Sequence, residues 1–213
     1  SSHGAYNVDS RMPRTERVTS RVIVYRSIDS TNIEAGRLLQ DGTLQLNGDS
    51  VVAIAADAQS AGRGRLDHAW VSRPGESFAV TFVTAVPRWL ALDASVNGWL
   101  QMIAGLAAVD GLRGAMRECG AQSIATVNDD ADGAGFMLKW PNDVFLGGHK
   151  LGGILSQMAS LPMGSMTEGY NDDNKGTDRI AIIFGIGLNL AIDAEYLPTA
   201  QSTSLQLHYA PLP

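Results

Sequence analysis

The sequence predicts an α/β fold. Three observations predict it. Short apolar runs of strand character recur between Val22 and Leu190, runs of helical periodicity alternate with them, and clusters of Gly, Pro, Asn and Asp separate the two. The chain has 213 residues, enough for one large domain or one domain with a small appendage. Its 45% hydrophobic and 18% charged residues are ordinary globular composition.

Residues 1–20 are polar and read as a loose N-terminal segment. Val22-Ile23-Val24-Tyr25 begins the first strand. Ser30 reads as the N-cap of a helical run from Asn32 to Gln40, with Glu34 near its first turn. Ser30-Thr31-Asn32 is also a hydrogen-bonding, anion-friendly helix start, although a simple cap is the commoner meaning. Ser50 to Ala56 is a buried-type strand. After it comes Gln59-Ser60-Ala61-Gly62-Arg63-Gly64-Arg65-Leu66-Asp67-His68-Ala69-Trp70, which reads as a mobile cationic loop. Gly lets backbone approach a ligand, and Arg offers a planar fork to carboxylate or phosphate. Such a loop is as often a solvated linker; joining two strong strands favours function here. It is not a P-loop, because Gly-x-x-x-x-Gly-Lys-Ser/Thr is absent.

Gly75 to Val83 is the third strand, with Phe78, Val80 and Phe82 on one face and Ala79, Thr81 and Val83 on the other. Pro87 to Gly120 reads as one helix, best between Asp93 and Arg117, with Val96, Leu100, Ile103, Leu106, Ala107 and Met116 at helical spacing. Trp99 and Met102 read as packing residues on it. Residues 126–135 and 164–178 are polar and acidic and read as exposed loops. Ile154 to Met158 continues a strand. Ile180 to Leu190 is a strongly apolar strand carrying Gly185-Ile186-Gly187-Leu188-Asn189. Glycines inside such a strand suggest a bulge or close backbone approach of a ligand. The tail from Gln201 is polar, then Pro-rich.

The net charge of −6 argues against a general nucleic-acid surface, so a phosphate site has to be a local basic patch. The single cysteine, Cys119, excludes an internal disulfide and points to a reducing compartment, the cytoplasm. Late in a helical run, it reads as a small hydrophobe rather than a nucleophile. No apolar run approaches membrane-spanning length, and the first twenty residues lack the apolar core of a signal peptide.

The most chemistry lies in Lys139-Trp140-Pro141-Asn142-Asp143 and, close behind, Lys150-Leu151-Gly152-Gly153-Ile154-Leu155. Pro141-Asn142-Asp143 has turn chemistry, and Gly147-Gly148 is a two-residue hairpin signal. Two lysines, an Asn and an Asp thus fall beside two tight turns on one sheet. Lys is a point charge for phosphate, and Asp is a hard oxygen ligand for Mg²⁺. A lone Lys at a strand end is more often a solvated gatekeeper, so the reading rests on the other motifs pointing the same way.

Those motifs, in this order, resemble the biotin protein ligases. The resemblance is carried by Ser30-Thr31-Asn32, Gln59 before Gly62-Arg63-Gly64-Arg65, Lys139-Trp140-Pro141-Asn142-Asp143, Lys150-Leu151-Gly152-Gly153-Ile154 and Gly185-Ile186-Gly187-Leu188-Asn189, over residues 22 to 207. It implies a catalytic domain over 21–207 with a tail at 208–213. The implied fold is a mixed sheet with helices against one face, similar to class II aminoacyl-tRNA synthetases. The implied reaction joins biotin to ATP, with Mg²⁺, as biotinyl-5'-AMP. The biotinyl group then passes to a lysine of a biotin carboxyl carrier protein domain. The resemblance assigns catalysis to Lys150, Arg65 and Arg63. It assigns biotin to Ser30, Thr31, Gln59, Gly62, Arg63, Arg65, Trp70, Lys150, Gly153, Gly185 and Gly187. It assigns the nucleotide to Arg63, Arg65, Lys139, Trp140, Asn142, Lys150 and Asn189, and a magnesium ion to Asp143. A homodimer is compatible with it; nucleic-acid and membrane partners are not expected.

Two departures stand out. Leu66-Asp67-His68-Ala69-Trp70 puts an acid where relatives carry glycine. The sequence stops soon after Ser202-Thr203-Ser204-Leu205, where many relatives continue into a small C-terminal β-barrel, so that domain is not expected within these residues; with no helix-turn-helix read before residue 22, a repressor role is not expected. Two alternatives stay open: a lipoate or octanoate ligase relative, and a biotin-binding module without catalysis.

Overall fold

A computed structural model of the chain describes residues 12–64, 69–124, 135–162 and 178–213. The exposed loops expected at 126–135 and 164–178 lie almost wholly outside the described residues, as do residues 1–11. The rest of the segment expected to be loose holds a short helix, α1 (Pro13–Val18), begun by a proline whose fixed φ suits a first turn.

Seven strands form one mixed sheet. β1 (Arg21–Tyr25) lies parallel to β2 (Val51–Ala56), and α2 (Thr31–Gln40) connects them. β3 (Gln59–Arg63) and β4 (Ala69–Ser72) leave that sheet as a separate antiparallel pair. The predicted loop is therefore strand at both ends, because the backbone groups of Gln59–Arg63 pair with those of Ala69–Ser72. β5 (Ser77–Pro87) returns to the sheet antiparallel to β2. On its far side come β10 (Arg179–Asn189), β9 (His149–Ala159), β8 (Asp143–Leu146) and β7 (Phe136–Lys139), all antiparallel. The Gly147–Gly148 hairpin expected between β8 and β9 forms, with φ of 57° and 79°. Both values lie where a side chain is disfavoured.

β10 is the middle of this order, and its side-chain parity divides the molecule. Ala181 and Ile183 join a core with Leu39 of α2, Val83 and Ala85. Ile182 packs below α3 (Arg88–Leu92), and Ile186 and Leu188 pack below α4 (Asn97–Cys119). Helices thus cover both faces rather than one. A strand whose apolar side chains point to both faces, as from Ile180 to Phe184, requires that cover.

The single helix expected over 87–120 is divided. The Asp93 carboxylate accepts from the Ser95 backbone N–H at 2.8 Å and hydroxyl at 2.6 Å, which turns the chain between α3 and α4. Val96 caps α4 rather than packing within it, and Gly120 ends α4 at φ 72°. Gly105, Val109 and Met116 are the buried residues of α4; Trp99, on another stripe, is 65% exposed rather than packed. The polar, Pro-rich tail is held against the rest of the fold. β11 (Tyr209–Ala210) pairs with β6 (Gln122–Ser123), and Tyr209 stacks on Phe136 at 6.3 Å between centroids. Among the described residues no helix is long and apolar enough to cross a membrane.

Candidate active site

A cavity of about 370 Å³ opens beside the start of α2. Five pieces of chain wall it: the α2 start, the β3–β4 pair, the Asn142–Asp143 turn with Lys150, the glycines of β9 and β10, and residues 198–202.

The α2 start is built by Ser30, as the sequence indicates. Its hydroxyl accepts from the Ile33 N–H, and its backbone is extended at φ −157°. Behind it, buried polar groups consume one another. Gln59 Oε1 accepts from the Thr31 backbone N–H at 2.8 Å and from the Thr31 hydroxyl at 3.1 Å. The Asn32 amide donates to the Leu155 carbonyl and to Gln157 Oε1. Thr81, fully buried, lies 2.7 Å from both the Thr31 hydroxyl and Asn32 Oδ1, and shares its one proton between them. Thr31 and Gln59 therefore hold each other; what they present to a ligand is set by that pairing. Thr81 and Gln157 lie in no motif that marks them as part of this network, and Asn32, although within Ser30-Thr31-Asn32, is assigned no ligand by the resemblance. The Thr81→Val variant keeps the shape and removes the hydroxyl. It is expected to cost about 1–3 kcal/mol of unfolding free energy, because two buried groups lose their donor. Urea unfolding reads this directly; an unchanged midpoint would discard it.

The glycines of β10 admit side chains of this chain. A Cβ on Gly185 would lie 2.2 Å from Asn32 Oδ1, and one on Gly187 would lie 2.9 Å from the Trp70 indole. The close approach inferred from sequence is real, but protein atoms fill it. Gly153 is the open one, with no atom nearer than 3.4 Å to such a Cβ. Gly62 is not on the cavity wall: its Cβ would meet the Trp70 carbonyl oxygen at 2.2 Å, so its smallness serves the β3–β4 pairing. Trp70 lines the cavity with its indole N–H buried and without a protein partner. A buried donor of that kind is what a ligand oxygen or nitrogen can satisfy.

Lys150 supplies the charge. Its Nζ lies 3.0 Å from Asp143 Oδ1 across the β8–β9 pair, with 42% and 26% of the two side chains exposed. Its backbone is clasped by a segment not singled out from the sequence as part of the site. Lys150 N donates to the Gln201 carbonyl and its carbonyl accepts from Thr203 N–H, both at 2.8 Å. Thr199 and Ser202 thereby reach the cavity wall. Asn142 donates its amide to the Ile154 carbonyl at 2.8 Å, and Asn189 donates to the Thr203 carbonyl at 3.0 Å. Both line the cavity, with one part of each amide already spent on holding its walls. Arg63 lies on the wall at the end of β3.

Two residues grouped with these by the sequence are not on this wall. Lys139 Nζ sits 5.2 Å above the Phe145 ring. Trp140 leans on the start of α4, where a Cβ on Gly98 would come within 2.8 Å of its indole, and it lines a different depression. Arg65 lies outside the described residues. Among the described residues there is no cluster of three His, Cys, Asp or Glu able to hold a metal. Asp143 is a lone carboxylate paired with Lys150, which suits an ion such as Mg²⁺ only where phosphate oxygens complete its shell.

Comparison with known proteins gives a consistent picture. The model of the biotin/lipoate A/B protein ligase family matches residues 24–169. The biotin–[acetyl-CoA-carboxylase] ligase of Paracoccus denitrificans is 36% identical over 163 residues, 76% of this chain and 52% of that protein. Its counterpart in Mycobacterium tuberculosis is 35% identical over 111 residues, 52% of this chain and 35% of that protein. The chain spans about half the length, or less, of the curated relatives it matches. Among solved structures, the Leishmania major biotin protein ligase in complex with biotin superposes with a TM-score of 0.56 at 24% identity, covering 87% of this chain and 62% of that one. That likeness establishes the fold.

Proposed function

This chain belongs to the biotin/lipoate A/B protein ligase family, and on that premise we propose that it activates biotin with ATP and transfers the biotinyl group to a lysine of a biotin carboxyl carrier domain. The observation that carries the reading is the cavity itself. Its wall carries the apolar groups of Trp70, Leu155 and Ile186 together with the cations Lys150 and Arg63. An apolar acid with a polar ring head and a carboxylate tail matches that polarity, with a nucleotide phosphate beside the tail. The relatives named as biotin–[acetyl-CoA-carboxylase] ligases support the same choice of acid and carrier.

In the first step a carboxylate oxygen of biotin bonds to the α-phosphorus of ATP. The bond to the bridging oxygen breaks, and pyrophosphate leaves with the electron pair. Two anions have to meet for this. Lys150 and Arg63 offset that repulsion and stabilise the charge spread over the transferring group. Arg65, two residues beyond Arg63, is assigned the same task from sequence alone. In the second step the carrier amine attacks the acyl carbon, AMP leaves, and the amine gives up a proton. No residue of the chain forms a covalent intermediate. Asp143 is the residue that would hold Mg²⁺ with the phosphates, where the ion neutralises their charge.

Biotin-dependent pyrophosphate release tests the reading. Release with biotin, and its absence with lipoate or octanoate, is the expected result. Release with lipoate or octanoate instead would move the chain to the other branch of the family. Biotin binding without release would leave a binding module.

A further inference from the structure

The α2 start is tied down by a clamp that lies outside the cavity wall. Arg37, two turns into α2, folds back toward the helix N-terminus. Its guanidinium donates to both oxygens of Asp29, Nη1 to Oδ2 at 2.8 Å and Nη2 to Oδ1 at 2.6 Å. Its Nε donates to Glu34 at 2.7 Å, and the other Glu34 oxygen accepts from the Tyr25 hydroxyl at the end of β1 at 2.8 Å. A cation reaching back along its own helix works against the helix dipole, so the two carboxylates are what hold it there.

Asp29 passes the constraint on. Its Oδ1 also accepts from the Ser30 backbone N–H at 2.8 Å, and its carbonyl accepts from Ala61 N–H on β3 at 2.8 Å. Asp29 therefore joins the clamp to the cap's own N–H through its carboxylate, and to the strand that carries Gln59 and Arg63 through its main-chain carbonyl. The Arg37 hydrogen bonds hold the Asp29 carboxyl below the usual carboxylate range. Burial, with the Glu34 hydrogen bond, pushes the Tyr25 hydroxyl up. The clamp is thus charged at Arg37 and Asp29 and neutral at Tyr25 at ordinary pH. Neither Arg37 nor Asp29 lines the cavity.

We infer that Arg37 is a positioning residue for the acid-binding half of the site, acting through Asp29 on Ser30 and Thr31. This rests on the biotin reading above for the identity of the acid. Asn142, Asp143 and Lys150 of the nucleotide half are held by other bonds; of the described residues assigned to the nucleotide, Arg63 alone lies on the strand the clamp touches.

The test compares the parent chain with Arg37→Ala, Arg37→Lys, Asp29→Asn and the Asp29→Asn/Arg37→Ala pair. The first readout is biotin and ATP dependence of pyrophosphate release. Loss of a half-exposed bidentate pair is expected to raise KM for biotin about 10-fold in Arg37→Ala. KM for ATP should stay within about twofold, since Asn142, Asp143 and Lys150 make no bond to the clamp and Arg63 is reached only through the backbone of its strand. Arg37→Lys keeps the charge without the fork and should fall between. The double variant should be no worse than the worse single one, because the two residues act as one unit. Equal rises in both KM values, or a lower melting temperature with an unchanged KM for biotin, would overturn the inference in favour of a purely structural role. The second readout is amide hydrogen exchange of the ligand-free protein. Arg37→Ala should speed exchange at Ser30, Thr31 and Ala61 and leave β9 and β10 unchanged. Unchanged exchange at Ser30 and Ala61 would overturn the clamp whatever the substrate. A parent chain that binds no biotin would sink the functional reading alone, and exchange would still decide the clamp.

Discussion

Replacing Lys150 with alanine is expected to lower kcat for biotin-dependent pyrophosphate release about 100- to 1,000-fold, the usual effect of removing one preorganised group from developing charge. Fold stability should hardly change. The Lys150–Asp143 pair is 3.0 Å long but 42% and 26% exposed, and pairs this open to solvent contribute about 0–1 kcal/mol. The clasp by Gln201 and Thr203 uses the backbone of residue 150, which alanine keeps. Activity and melting temperature should therefore separate, the first collapsing while the second stays within a few degrees. Lys150→Arg keeps the charge but spreads it over a fork, and should recover part of the rate. Asp143→Asn, which frees Lys150 without removing it, should cost less than Lys150→Ala. A Lys150→Ala chain releasing pyrophosphate at the parent rate would take the chemistry away from this end of the cavity.

Gly152→Ala is expected to produce the largest loss of stability from a single methyl group. A Cβ at position 152 would lie 2.0 Å from the Gly187 carbonyl oxygen and 2.9 Å from the Leu188 Cα. Both are backbone atoms of the neighbouring strand, so no rotamer change relieves the contact. The β9–β10 pairing has to open locally, where Leu188 faces Gly152 and Gly187 faces Gly153. Overpacking of this kind costs about 3 kcal/mol, which in a chain of this size lowers the melting temperature by about 6–12 °C. The loss should carry biotin affinity with it, because Gly187 seats Trp70. Gly153→Ala is the control. Its Cβ meets nothing nearer than 3.4 Å, so stability should be nearly kept while ligand occupancy of the open floor is reduced. Equal melting temperatures for the two variants would refute this account of the paired glycines.

Much of the fold was legible locally. The Ser30 cap, the Gly147–Gly148 hairpin and the strands around 22–25, 51–56 and 180–189 follow from short-range chemistry and periodicity. The Asp93-x-Ser95 turn was legible too, but apolar spacing on both sides of it masked the break between α3 and α4. The family motifs also delivered most of the cavity wall in advance: Ser30, Arg63, Trp70, Asn142, Lys150 and Gly153 all line it.

By itself the sequence determined which residues had the right chemistry and which short segments carried them. Tertiary structure decided how that chemistry is spent. It set Gln59 against Thr31, Asn32 into the gap at Gly185, Trp70 onto Gly187 and Lys150 beside Asp143, and it turned Trp140 toward α4. It also brought residues 201–203 alongside Lys150, fifty positions away in the chain. Periodicity reports only which way a side chain points from its own strand or helix. The atom it meets is fixed by sheet order and register, which join segments far apart in sequence; the use of a missing Cβ becomes visible only once the opposing atom is in place.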